Sequence, residues 1–209
     1  MKQKVSDYIA DRLAQEGISQ VFTVTGGGAM HLNDSLGHHP GLSCLYHHHE
    51  QAAAMAAEAY ARVDNRMAAV CVTSGPGATN AITGALCAWM DSIPMLVLSG
   101  QVRYDTTVRH SGLKIRTMGV QEYDITPSVE PMTKYAVMVT DPLTIRYHLE
   151  RAIYLAKTGR PGPCWLDLPL NVQSAVVETD DLKAYDPSED AKELPAPVSE
   201  ETVKQILEK

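Results

Sequence analysis

Two runs of this chain, Ala68 to Thr73 and Pro94 to Ser99, are apolar at nearly every position rather than at alternate ones. A strand with one wet face alternates in polarity, whereas a continuously apolar strand is covered on both sides. That condition belongs to parallel sheets with helices packed on each face. The rest of the chain agrees with this restriction. Shorter apolar runs at Gln20 to Val24, Leu42 to Tyr46, Tyr135 to Val139 and Cys164 to Leu168 read as further strands. Between them the spacing predicts helices. Val5, Tyr8, Ile9 and Leu13 recur at helical intervals, with Gly17 placed to end that helix. Further helices are predicted from about Ala29 to Leu36, from Glu50 onward, from about Gly77 to Met90 and from Pro142 to Lys157. The predicted fold class is α/β, a parallel sheet with helices on both faces. Its crossovers should be right-handed, and its ligands should bind at the carboxyl ends of the strands.

Bulk properties remove several classes of function. A formal net charge of -7 leaves no electrostatic footprint for nucleic acid or for an anionic membrane. No apolar run approaches the length that spans a bilayer, and the N-terminus turns amphipathic at once, without a signal-like apolar core. The four cysteines, Cys44, Cys71, Cys87 and Cys164, contain no Cys-x-x-Cys pair. Cys44, Cys71 and Cys164 lie in apolar strands, as buried reduced thiols do. The expectation is a soluble cytoplasmic protein that engages neither nucleic acid nor membrane.

The carboxyl-edge features are concentrated in two segments. Tyr46-His47-His48-His49-Glu50-Gln51-Ala52 sets Glu50 at the seam between a strand and an alanine-rich helix. Ala53, Ala54, Ala57 and Ala61 give that helix a face small enough to press on a neighbour. A carboxylate at such a seam risks losing its water, and a dewatered carboxylate holds or passes a proton near neutrality. Thr73-Ser74-Gly75-Pro76-Gly77-Ala78-Thr79-Asn80 is a glycine-rich turn from strand to helix on the same edge.

Each segment alone has an ordinary reading. Gly26-Gly27-Gly28 follows a strand but does not match Gly-x-Gly-x-x-Gly, so a dinucleotide site is disfavoured, although a close backbone approach to a ligand fits. On a strand His47 and His49 share one face and His48 the other, so local hydrogen bonding outweighs a zinc site. The Thr73 turn lacks a P-loop ending and is no nucleophile elbow. Glu50 alone reads as a carboxylate satisfying free amides at a helix start.

The order of several motifs changes that balance. His49-Glu50-Gln51-Ala52-Ala53, the Thr73 to Asn80 turn, Asp91-Ser92-Ile93-Pro94-Met95, Ser99-Gly100-Gln101-Val102, Gln121-Glu122, Thr133-Lys134 and Gly159-Arg160-Pro161-Gly162-Pro163 occur in sequence. Over roughly residues 4 to 173 the chain resembles the pyrimidine-binding domain of thiamine-diphosphate enzymes, specifically the acetolactate synthase group.

The resemblance implies that Glu50 hydrogen-bonds N1′ of the cofactor's aminopyrimidine and favours the imino tautomer that takes the C2 proton. It implies decarboxylation of a pyruvate-like 2-oxo acid and transfer of the acyl unit to an acceptor. Gly26, Gly27 and Gly28 would approach the reacting centre. Thr73, Gly75, Pro76, Gly77 and Asn80 would line the pyrimidine pocket, with Gln121 near cofactor and substrate. Ser92 and Arg160 match positions that contact FAD in flavin-containing members, and Lys134 one at the substrate channel. Magnesium and diphosphate are held in that family through a Gly-Asp-Gly motif in another domain, across a subunit interface, and no Gly-Asp-Gly occurs here. The expectation is half an active site in a homodimer or homotetramer, inactive as a fragment.

Departures from the family pattern bear on substrate and flavin rather than on Glu50. Thr25 stands for proline, Gly28 for alanine, Ala59 for glycine, Arg103 for proline and Val120 for phenylalanine. The Val102 to Gly119 loop is longer than in biosynthetic acetolactate synthases. Gln101 to Met118 holds four arginines or lysines and little periodicity, as a mobile or partner-ordered loop would. The predicted division is a pyrimidine-binding domain over 1–175, then a linker and the start of a central domain over 176–209. Asp180 to Pro197 has acidic, proline-punctuated linker chemistry, and Ser199-Glu200-Glu201-Thr202 is a helix-start signal. Two alternatives remain open: a pyrimidine-binding subunit of a split 2-oxo acid decarboxylase, and a noncatalytic nucleotide-binding or interaction module.

Overall fold

The computed structural model describes residues 1–64, 66–191 and 198–208. Among the described residues eight strands form two sheets: β1 (Lys2–Lys4), β2 (Gln20–Thr23), β3 (Ser43–Tyr46), β4 (Ala68–Val72), β5 (Met95–Gln101), β6 (Tyr135–Met138), β7 (Pro163–Pro169) and β8 (Val176–Glu178). Six of them make one sheet in the order β3-β2-β4-β5-β7-β6, and every pairing in it is parallel. β4, β5 and β7 are buried at every position, as their continuous apolarity requires.

Alternate side chains of these strands feed two cores. Cys71, Leu96, Leu98, Cys164 and Leu166 face the helices Val5–Gln15, Met30–His38 and Ile145–Lys157. Val70, Val72, Met95, Val97 and Trp165 face the helices Glu50–Asp64 and Ile82–Asp91. The second core is lined by alanines: Ala53, Ala54, Ala57, Ala61, Ala81, Ala85 and Ala88 are all fully buried. Small side chains let the two helices approach so closely that a Cβ on Gly84 would stand 2.4 Å from that of Ala54.

The small-residue faces are therefore used within the chain, and they are not the surface left for a second copy. The helix predicted from Gly77 to Met90 is two helices, Pro76–Asn80 and Ile82–Asp91. Ala81 bonds back to Ala78, three residues earlier, and this tighter turn separates them. The histidines do not continue β3, which ends at Tyr46, and residues 48 and 49 lie in a bend. Within the long loop a short helix, Val108–Ser111, forms, capped by the Thr107 side chain.

The stretch expected to behave as a linker is partly built into the domain. β8 pairs antiparallel with β1. Beyond it Leu182, Tyr185 and Asp190 are buried, and Asp190 accepts two hydrogen bonds from Arg151, at 2.6 and 2.9 Å. Residues 192–197 of that stretch lie outside the described residues. Ser199 caps the helix Glu200–Leu207 through Thr202, as its start signal predicts. Among the described residues no helix is long and apolar enough to cross a membrane.

Candidate functional site

In the order β3-β2-β4, the chain leaves β2 toward β3 and returns on the other side of β2 as β4. The carboxyl ends of β2 and β4 therefore flank a topological switch point, where open α/β sheets bind ligands. β2 runs into Gly26 to Gly28, β4 into Thr73 to Gly77, and β3 into Glu50. Three segments distant in sequence meet on one edge.

The first two interlock, the glycine backbone against the Thr73 and Ser74 side chains. Gly28 N donates to Thr73 Oγ1 at 3.0 Å. A Cβ on Gly26 would fall 2.4 Å from that of Thr73, and one on Gly28 2.7 Å from Ser74 Oγ. Gln173, fully buried, donates from Nε2 to Gly28 O at 2.7 Å and to Leu168 O at 2.6 Å, which clamps the glycine loop from behind.

Glu50 opens its helix and is half-buried. Its Oε2 accepts from Asn80 Nδ2 at 2.9 Å. Oε1 takes no hydrogen bond from the described residues. The space beside it is kept clear by Gly77, where a Cβ would stand 3.3 Å from Oε1 and 2.6 Å from Thr73 Cγ2. A carboxylate oxygen with unused lone pairs, beside a cradle that a side chain would fill, suits a flat nitrogen heterocycle. The histidines before Glu50 act locally. His47 Nδ1 pairs with Leu45 O at 3.0 Å, and His49 Nδ1 accepts from Gln51 N at 3.1 Å, helping to cap the Glu50 helix.

Gln121 reaches this edge by its backbone. Gly75 has φ 55 and ψ -116, a conformation open to glycine alone. A Cβ there would come 2.1 Å from Gln121 O. Gln121 itself has φ 56, and its side chain is exposed. Glu122 shapes the turn, with Oε1 accepting from Val108 N at 2.6 Å and Oε2 from Met118 N and Gly119 N at 2.8 and 3.1 Å.

Residues 3–122, more than half of the chain, match the family described as thiamine pyrophosphate enzyme, N-terminal TPP binding domain. The chain belongs to this family. Among its relatives, the acetolactate synthase large subunit of Lactococcus lactis is 37% identical over 172 residues, which cover 82% of this chain and 28% of the relative. Acetolactate synthase isozyme 3 large subunit of Escherichia coli is 38% identical over 167 residues, 80% of this chain and 28% of the relative. Acetolactate synthase 1 of Oryza sativa, chloroplastic, is 34% identical, with 98% of this chain and 31% of the relative covered. The chain thus spans less than a third of the length of these curated relatives.

The remaining predicted residues form a separate group. Ser92 precedes β5, Lys134 precedes β6 and Arg160 precedes β7, so all three lie at the amino ends of the strands, a strand length of roughly 20 Å from Glu50. Arg160 donates to Ser92 Oγ at 2.7 Å, and with Trp89, Met90, Lys134 and Pro161 it lines a cavity of about 290 Å³. The Lys134 ammonium donates to the carbonyls of Leu155 and Thr158 at the end of the Ile145–Lys157 helix. These two bonds tie the start of β6 to the end of that helix, and burial lowers the Lys134 pKa.

A buried polar network went unread in the sequence. Asp167, fully buried in β7, accepts from Ser99 Oγ at 2.6 Å and from Gln101 Nε2 at 3.1 Å, and Trp165 Nε1 donates to Ser99 Oγ at 2.8 Å. Burial pushes the Asp167 carboxyl up to about 7. The available signal was a lone acid inside an apolar strand. Gln173 carried none.

Proposed function

We propose that this chain is the pyrimidine half of an active site that uses thiamine diphosphate to decarboxylate a pyruvate-like 2-oxo acid and pass the acyl unit to an acceptor. The observation that carries this reading is the Glu50 carboxylate, tethered by Asn80 through one oxygen, with the other facing the Gly77 cradle. Family membership and the acetolactate synthase relatives support it.

When bound, thiamine diphosphate supplies the electron sink for loss of carbon dioxide. The chain supplies proton control. Glu50 Oε1 would hold or release a proton at ring nitrogen N1′, while Asn80 keeps the carboxylate from turning away. Gly26, Gly27 and Gly28, with Thr73, Gly75 and Pro76, would wall the ring, and Gln121 would lie beside it. Magnesium and the diphosphate would be held by another part of the protein, across the interface of a homodimer or homotetramer in the cytoplasm. The Ser92–Arg160 pair beside its apolar cavity would meet FAD if the protein carries it, and Lys134 would line that cavity with its ammonium turned to the Leu155 and Thr158 carbonyls. Residues 1–175 would be the pyrimidine-binding domain and 176–209 the passage to a central domain.

Glu50→Gln in the full-length protein tests the assignment. Exchange of the C2 proton of bound cofactor should slow by about 10²–10⁴-fold, with the circular dichroism spectrum unchanged. Exchange at the native rate would remove Glu50 from the proton path.

A further inference from the structure

The Asp167 network leads out of the sheet toward the proposed site. Gln101, at the carboxyl end of β5, is 1% exposed, and every polar atom of its side chain is used. Its Nε2 donates to Asp167 Oδ2 at 3.1 Å and to Tyr123 O at 2.8 Å, and its Oε1 accepts from Val102 N at 3.0 Å. The amide has one workable orientation, because a flip would aim Oε1 at two acceptors. Tyr123 is two residues past Gln121, whose carbonyl packs on Gly75. The three bonds of Glu122 lie between residues 108 and 122, so they shape the loop without crossing to the sheet. The Gln101 bond makes that crossing.

We propose that Asp167 is a positioning residue: acting through Gln101, it holds the turn that carries Gln121 against Gly75 at the proposed cofactor edge. A carboxylate in the middle of a fully buried strand is otherwise unfavourable, and an apolar residue would pack there at less cost. What it adds is an acceptor that selects the Gln101 orientation. Deleting that acceptor leaves a buried amide hydrogen unsatisfied and frees the side chain to turn away from Tyr123. Asparagine retains one carbonyl oxygen, which can face Gln101 while its amide faces Ser99 Oγ. Leucine, similar in shape, retains none.

The test is amide hydrogen exchange, segment by segment, on full-length protein without cofactor, alongside urea unfolding. Asp167→Leu and Gln101→Leu should each raise exchange in residues 119–125 about tenfold, and the double variant should add nothing further. Asp167→Asn should leave that segment near native. Asp167→Leu leaves two buried donors without an acceptor and should unfold at lower urea than Asp167→Asn. The control is therefore Leu96→Ala, a cavity in the other core, which should lower global stability and leave residues 119–125 near native. A merely structural role predicts loop exchange that tracks global stability, and that result would overturn the proposal, as would additive single effects or an unmoved segment in Gln101→Leu. Relevance to turnover rests on the thiamine reading, but the exchange measurement needs no cofactor. If that reading holds as well, Asp167→Leu lowers kcat and Asp167→Asn restores it. A loosened loop with native kcat would keep the anchoring and reject its catalytic consequence.

Discussion

Single residues at this edge are held by their surroundings rather than by their own preferences. Gln121 sits in the left-handed region, and Gly75 has the one side chain that leaves room for its carbonyl, so each conformation is sustained by the other. Asp167 is the clearest case of burial overriding intrinsic chemistry. Its carboxyl ionises near 3.8 when solvated, but burial raises this to about 7 in the folded chain. Between those values the folded state binds the proton that the unfolded chain has released. The stability contributed by this group is therefore complete below about pH 4 and is lost as pH rises through about 7. Asp167→Leu abolishes that slope. Urea unfolding of the two proteins from pH 4.5 to 8.5 should show the variant gaining on the native chain with pH, by at most ~1.4 kcal/mol per unit, and levelling off above the folded pKa. A constant difference across that range would show that the carboxyl does not titrate there.

At the scale of elements, the alanine-rich packing between Glu50–Asp64 and Ile82–Asp91 aligns the helix that begins with Glu50 against the one that follows Asn80. Their separation is set by Gly84, whose absent Cβ would meet Ala54 at 2.4 Å and its backbone carbonyl carbon at 2.7 Å. In an exposed helix, glycine to alanine stabilises by about 1 kcal/mol. Here overpacking, typically about 1–3 kcal/mol, opposes that gain and wins, because backbone rather than a flexible side chain is in the way. Gly84→Ala should lower the urea midpoint. A raised midpoint would mean that the two helices part without penalty. The alanine face that reads as small enough to press on a neighbour finds that neighbour inside this chain. The apolar side chains that remain exposed on these two helices include Met55, Leu86, Trp89 and Met90, all larger than alanine.

The whole molecule offers a glycine-lined cradle and a carboxylate, but among the described residues no group of three or more His, Cys, Asp and Glu side chains converges to hold a metal ion. Diphosphate contributes charge-assisted and metal-bridged contacts, which are stronger than ring stacking and a few neutral hydrogen bonds. Residues 1–209 alone should therefore show no tight thiamine diphosphate binding in titration calorimetry, with or without magnesium. Submicromolar, magnesium-dependent affinity would place a phosphate site within this chain, and the Gly75 to Gly77 turn would be the place to look. Much of the architecture was legible in the sequence, because strand burial, helix periodicity and turn chemistry are local properties. The continuous apolarity of β4 and β5 specified a doubly covered parallel sheet, and the turns that end β3 and β4 put Glu50 and Thr73 to Asn80 on one edge. Tertiary structure decided what depends on which strands become neighbours. Ser99 and Asp167 are 68 residues apart and meet because β5 pairs with β7. The acidic tail, linker-like in composition, is held by a strand at the far end of the chain and by an arginine on a distant helix. Hydrogen bonds across such separations leave no period in the sequence. They exist once the sheet order has brought donor and acceptor together in a place that water does not reach.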